Sequence, residues 1–406
     1  MSWLVAVLGL AFLVLIHEAG HFVTALVLRM RPRKFYVGFP PALAKVRRGG
    51  IEYGLGAIPL GGYVKIPGMH RPAPSDLDAH FSMALHEAPE LTGTIERMKR
   101  KLNRGEFEPG AELDALEAVV EGVELSPPAR RRAERGLNEL RDGLGRDAYW
   151  RAETWKRIAV IFAGPGTNLL FAVGLLSLVF LIGVRVATLG VAEVSPGSPA
   201  QLSGLRAGDR VVGVGGEPVE HFEQVFARIQ EAEGARISVR VQRGDDFRTL
   251  TVTPTRYHGA NWAIGFRPGI RWERHTPLDA VSLAVGRTWE VTKAIGVGFS
   301  RLVTGEGRRD IASPVGITRV SSQAVEADFR VYLQLLAFIS LSLALLNLLP
   351  LLPLDGGHIA FSIVEGVRRR AVGRDVYERV SIVGIALVLM LFFIGLSNDL
   401  GGRGPG

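Results

Sequence analysis

The stretch LVLIHEAGHFVTAL, residues 13–26, sets two kinds of chemistry against each other. Its flanks are apolar enough to lie in a bilayer, yet His17, Glu18 and His21 stand in its middle. An ionisable group at the centre of a membrane helix costs roughly 3 kcal/mol on insertion scales, so such groups are seldom idle. On a helix, positions four apart share a face, and both imidazoles of H-E-x-x-H can meet one metal ion. Zinc suits two neutral imidazoles and a carboxylate, with a fourth position open to water. Bound zinc brings the pKa of that water toward neutrality, and Glu18 is placed to take the proton and pass it to a leaving amine. The pattern is that of a metal hydrolase. His86-Glu87 is a contrast: Glu90 stands where the second histidine would be, so it makes no site.

Composition places this stretch in a membrane protein. The chain has 406 residues, 47% of them hydrophobic, and a mean hydropathy of +0.20, which suggests spans joined to polar domains. Four segments, residues 3–28, 158–184, 331–349 and 380–396, approach or exceed the ~20 residues that cross a bilayer as a helix. The first lacks a basic leading region and a small-residue cleavage site, so it reads as retained rather than as a signal peptide. The net charge of +8 is explained by position. Arg29, Arg31, Arg33 and Lys34 follow the first span, Arg151, Lys156 and Arg157 precede the second, and Arg368, Arg369, Arg370 and Arg374 lie between the third and fourth. All fall on one side if the spans alternate, which makes that side cytoplasmic and puts both termini outside. No nucleic-acid motif appears, so no nucleic-acid partner is expected. Cysteine is absent, which excludes thiolate ligands, a cysteine nucleophile and disulfides.

The fold class expected is a polytopic α-helical membrane protein of four transmembrane helices, with a membrane-associated β-hairpin region and an inserted extracytoplasmic α+β module. Residues 1–34 carry the first span and H-E-x-x-H. Residues 35–69, with IEYGLGAIPLGGYVKIPG, read as glycine-broken strands with a hairpin turn near Arg48-Gly49-Gly50. Residues 70–150 form a charged, mostly helical cytoplasmic insert, for which solvated helices are the plainest reading. Residues 151–185 hold the second span, and 186–270 alternate short strands with two helices as one module of domain size. Residues 271–330 link it to 331–365, the third span and its sequel, and 366–406 hold the fourth span and the tail.

Two histidines need a third ligand. Asp355 in NLLPLLPLDGGHI is the leading candidate, where Pro350 and Pro353 break the helix and Gly356-Gly357 loosen the chain. Irregular backbone at membrane depth is tolerated only where it lines a protein cavity. His17 lies ~18 Å along the helix from the basic edge, a depth that a re-entrant turn can reach. His358 is the rival ligand.

Four motifs together resemble the site-2 protease family, in its bacterial branch typified by the regulator-of-sigma-E protease. They are HEAGH in the first span, PLGGYVKIPG after it, WKRIAVIFAGPGTNLLFA opening the second span with G-P-x-x-N at Gly164, Pro165 and Asn168, and NLLPLLPLDGGH. Between spans two and three, VSPGSPAQLSGLRAGDRVVGVGG resembles a PDZ module, and TWEVTKAIGVGFSRLVTGE with ASPVGI resembles the family's amphipathic linker. The resemblance implies an intramembrane zinc metalloprotease, bound to one Zn2+, that cleaves single-span membrane proteins in the bilayer after a first cut by another protease. Anti-sigma-factor-like proteins or signal-peptide remnants would be its substrates. It implies His17, His21 and Asp355 as zinc ligands and Glu18 as base. Asn347 and the strand at Gly61, Gly62, Tyr63 and Val64 would hold the substrate, extended along a strand edge. The PDZ module would take a peptide or protein terminus near Leu189, Gly190 and Val191, or act as a spacer or a size filter. The implied location is the bacterial inner (cytoplasmic) membrane, with the PDZ module extracytoplasmic and the active site toward the cytoplasmic side. Departures from the family are the single PDZ copy, the long insert at 70–150, and Ala312-Ser313 where Ser-Gly is common.

Two other readings compete. A membrane metal transporter would show more polar residues in spans two to four. A catalytically idle PDZ-bearing scaffold would show a damaged motif, whereas every expected catalytic position is filled.

Overall fold

In the computed structural model, residues 1–108, 110–257, 261–304 and 311–401 are described. Residues 258–260 of the expected module, 305–310 of the expected linker and 402–406 of the expected tail lie outside the described residues. Two units divide the chain, Met1–Leu176 with Ala284–Gly406, and Ser177–Leu283. The elements run α1 (Ser2–Val27), β1 (Lys34–Arg48), β2 (Ile51–Lys65), α2 (Pro74–Glu87), α3 (Thr92–Asn103), α4 (Ala111–Gly122), α5 (Pro127–Leu144) and α6 (Thr154–Ile182). Then come β3 (Val184–Val194), α7 (Pro199–Leu202), β4 (Arg210–Val214), β5 (Glu217–Pro218), α8 (Phe222–Glu231), β6 (Ile237–Arg243) and β7 (Asp246–Val252). The last are β8 (Thr255–Tyr257), β9 (Asn261–Ala263), β10 (Phe266–Glu273), α9 (Pro277–Thr304), α10 (Pro314–Ala327), α11 (Phe329–Asn347), α12 (Asp355–Arg368) and α13 (Arg374–Leu400).

Among the described residues, four helices are long and apolar enough to cross a membrane: α1, α6, α11 and Val376–Leu400 of α13. They coincide with the four segments read from hydropathy. Leu4, Leu8, Phe12, Leu170 and Ile382 stand exposed on them, as lipid-facing positions do. Small contacts lock the bundle. Tyr332 Oη donates to the Val5 carbonyl (3.0 Å), and Thr167 Oγ1 reaches the Ile16 carbonyl (3.2 Å), joining α11 and α6 to α1. Asp399 of α13 accepts from the Ser313 and Gly316 amides (2.8 and 3.2 Å), satisfying donors that the start of α10 leaves unpaired.

The β region is more than one hairpin. Gly49 (φ 60°) and Gly50 (φ 81°) make the expected turn, with Arg48 opposite Ile51. Both strands then bend, so that Phe35 lies opposite both Tyr53 and Val64. Four segments result, in the order 42–48, 51–56, 34–37 and 62–65. Bends of this kind are invisible to an alternation pattern, because glycine fits either path. Tyr36 Oη donates to Glu52 Oε1 (2.6 Å) in the buried middle of this sheet. That bond pushes the Tyr36 hydroxyl up to about 12 and holds the Glu52 carboxyl below its usual range.

Solvated helices are too plain a description of the insert. Helices α2 to α5 pack on a core of their own, with Leu77, Phe81, Leu91, Ile95, Met98 and Leu116 fully buried. Pro127-Pro128 opens α5 and separates it from α4; Ser126 caps it, its Oγ accepting from the Ala129 amide. The insert is clamped to the sheet by Asp142, which takes Arg33 Nε (2.9 Å) and Lys65 Nζ (2.7 Å).

In the second unit a sheet of order β10-β3-β4-β6-β7, with β5 on β4, packs its apolar face with α8 around Val191, Val211, Val214, Val225, Val239 and Val241. Asp209 is buried and takes both Arg243 Nε and Nη2 at 2.7 Å. These bonds hold its carboxyl below the usual carboxylate range.

Two predictions follow from packing and from this ion pair. Phe81→Ala should destabilise the insert by about 3–5 kcal/mol, seen as accelerated hydrogen exchange across α2 to α5, with the spans unaffected. The Asp209–Arg243 pair should stabilise the second unit above about pH 4, the unfolded Asp value. That contribution is lost as pH falls through the lower folded value. Amide exchange of β4 and β6 in Arg243→Met should therefore exceed wild type at pH 7, with the gap closing in acid.

Candidate metal centre

Two helices deliver the three donors. α1 presents His17 and His21 on one face, with ring centroids 4.8 Å apart. After α11 ends at Asn347, residues 348–354 run irregularly, and Asp355 is the first residue of α12. Gly356 and Gly357 make that turn possible: a Cβ on Gly356 would fall 2.3 Å from the Leu348 and Leu349 carbonyl oxygens. His17 Nε2 lies 3.1 Å and His21 Nε2 3.3 Å from Asp355 Oδ2, and the two nitrogens lie 3.2 Å apart. His358 also lines the surrounding cavity but is not part of this convergent group.

The donor triangle fits a zinc ion. With metal–ligand bonds of about 2.0–2.1 Å, tetrahedral donors sit about 3.3–3.4 Å from one another. Tautomers point the same way. His21 Nδ1 is 2.9 Å from the Val160 carbonyl, which can only accept, so Nδ1 carries the proton and Nε2 presents a lone pair. Asp355 Oδ2 is buried and has no hydrogen-bond partner of good geometry among the described residues. Three lone-pair donors facing one another in a buried site suit a shared cation.

Helix α6 supports the donors without supplying one of them. Asn168 is fully buried; its Oδ1 has no hydrogen-bond partner among the described residues and its Nδ2 is 3.4 Å from His17 Nδ1. Turning the amide by half a rotation places Oδ1 on the His17 Nδ1 proton and satisfies both groups. Asn168 then does for His17 what the Val160 carbonyl does for His21. Gly164 allows the approach, since a Cβ there would lie 2.2 Å from His21 Nε2. The G-P-x-x-N pattern was the sequence signal for both residues, though it assigns neither a task.

Around the centre is a cavity of about 690 Å3. Glu18, Asn347, Gly61, Gly62, Tyr63 and Val64 line it together with the donors. Gly62 passes against the catalytic candidate: a Cβ on it would fall 2.3 Å from Glu18 Cγ. Leu189, Gly190 and Val191 belong to the other unit. Leu189 and Val191 are buried in its core, and β3 is paired with β10 on one side and β4 on the other. A cleft of about 340 Å3 lined by this segment and by Phe222 of α8 lies beside it.

A buried His-His-Asp centre beside a glutamate, held among apolar helices, defines a membrane metallopeptidase architecture. The chain belongs to Peptidase family M50, which it matches over residues 5–391. A putative zinc metalloprotease of Mesorhizobium japonicum is 30% identical, aligned over 97% of this chain and 96% of its own. The zinc metalloprotease RasP of Oceanobacillus iheyensis is 27% identical over 97% of each chain.

If Asn168 orients His17, Asn168→Leu should weaken zinc about 10–100-fold, measured by chelator competition, while Asn168→Asp, which still accepts, should stay near wild type.

Proposed function

We propose that this chain is an intramembrane zinc metalloprotease that hydrolyses a peptide bond in or near the transmembrane segment of single-span membrane proteins. The observation that carries this is the convergence of His17, His21 and Asp355 at one wall of a cavity that Glu18 and the stretch Gly61 to Val64 also line. His17, His21 and Asp355 hold the metal, and the M50 family and the names of its relatives support zinc. When bound, the ion supplies a Lewis acid that polarises a carbonyl and makes water more acidic.

Glu18 takes the proton from water at its carboxylate and returns it to the departing amine, so no proton has to leave the site. Gly61 to Val64 offer backbone groups at a strand edge, and pairing along it holds the scissile peptide extended with its carbonyl exposed. Asn347 faces the same cavity from the end of α11 and donates its amide to the substrate backbone. A helical substrate segment must unwind to be cut, and the edge compensates the backbone bonds it gives up.

The basic clusters beside the spans support a cytoplasmic placement of the insert, extracytoplasmic termini and an inner-membrane location. The second unit acts as a PDZ-type module that receives a peptide or protein terminus at the cleft between β3 and α8. Because β3 is paired on both sides, the bulged stretch between Ala187 and Val191 is where a terminus would enter.

Glu18→Gln should retain one zinc and lose cleavage of a co-expressed single-span substrate by at least about 10²-fold. Asp355→Ala should lose both zinc and cleavage, with metal content measured on purified protein. Full cleavage by Glu18→Gln, or undiminished zinc in Asp355→Ala, would remove the residue from its role.

A further inference from the structure

The long insert has no task in the chemistry above, yet its position is specific. The strand at 62–65 pairs with 34–37 and with no further strand among the described residues. The chain then runs on through Ile66 to Met69 and is fixed to the end of the insert. The Tyr149 amide donates to the Pro67 carbonyl (2.9 Å) and the Trp150 amide to the Gly68 carbonyl (3.1 Å). Beside this run lies a second hollow, of about 310 Å3. Its near wall is Tyr63, Val64, Ile66 and Met69, all of which also line the cavity of the metal centre. Its far wall is the insert: Pro72, His80, Gly136, Glu139 and Leu140.

The far wall is rigid. Asp142 is bonded to Lys65 and Arg33, and Arg33 Nη1 also reaches Asp147 Oδ2 (2.8 Å), so sheet and insert share one ionic clamp. α5 lies close to α2 because position 136 is glycine: a Cβ there would sit 2.6 Å from His80 Cβ. The core of four helices behind it holds the wall in place.

We infer that the insert at 70–150 is part of the substrate site, forming with residues 63–69 a groove that receives the extended cytoplasmic flank of the substrate as it leaves the catalytic cavity. This rests on the proteolytic reading above. A peptide paired along 62–65 passes the metal centre at Gly62 and Tyr63. In the direction of Ile66 and Met69 it has the groove ahead of it, because those residues line both spaces. The occupant is polypeptide rather than lipid, since one wall is a strand edge on which no further strand lies among the described residues, and such an edge accepts another backbone. Glu139 stands at the rim, its carboxylate half exposed and 2.9 Å from His80 Nε2. The flank of a membrane span on the cytoplasmic side is rich in Lys and Arg, and a rim carboxylate suits it.

The absence of native cysteine makes the test direct. In the full-length Glu18→Gln protein, single cysteines replace Tyr63, Glu139 or, on the exposed surface of α4, Glu121. The probe is a single-span reporter with an apolar segment of about 20 residues and a basic cytoplasmic flank, bearing one cysteine in the segment or in the flank. Tyr63→Cys should crosslink to the segment. Glu139→Cys should crosslink to the flank about tenfold faster or more than Glu121→Cys, because binding raises the local concentration. Crosslinking at Tyr63 with none above the Glu121 level at Glu139 would overturn the groove and leave the proteolytic reading standing. Crosslinking at neither would overturn both. In the active protein, Glu139→Trp should raise KM about tenfold, a change of about 1.4 kcal/mol, for the reporter with its flank and leave a flankless reporter unchanged. Equal loss on both reporters would mean a merely structural role.

Discussion

The structure depends on one electrostatic constraint: two imidazole nitrogens and a carboxylate oxygen within 3.3 Å of one another in a buried site. Alone, these donors repel, and burial removes the water that would separate them. Around a divalent cation the same geometry is favourable, and the donor distances are close to those that a tetrahedral zinc ion would impose. Neighbouring structure is arranged to keep the donors there. The Val160 carbonyl fixes one imidazole and Asn168 is placed to fix the other, both from α6. Without them, each ring could turn its lone pair away.

Close approach is the means by which three helices reach one point. Gly164 brings α6 onto His21, and Gly356-Gly357 let the irregular run after α11 fold back on itself before α12 begins. Gly62 does the same for the sheet, which lies directly against Glu18. Any side chain at these positions would separate parts that must touch. Glycine therefore marks the perimeter of the site more sharply than any polar residue does.

Much of this was legible in the chain. Hydropathy placed all four spans, and H-E-x-x-H in the first of them is hard to reconcile with an idle segment. Asp355 was accessible through the proline and glycine breaks around it, which would be a fault in a helix without a function. The Gly49-Gly50 turn was legible for the same local reason. The bent pairing of the sheet was not, because register across a glycine-rich strand is set by what packs on it rather than by alternation. Nor was the packed core of the insert. Its charges announced solvent, while Leu77, Phe81 and Met98 meet only when α2 and α3 are brought together.

The sequence by itself determined the apolar spans and two of the three candidate metal donors, because helix spacing fixes which neighbours share a face. Only the tertiary structure decided the rest. Asp355 lies more than 300 positions from His21, and no periodicity encodes a contact across that distance. The same holds for Asn168 against His17 and for the insert wall beside residues 63–69. These contacts arise from packing between elements, where shape and the satisfaction of buried polar groups decide which surfaces meet.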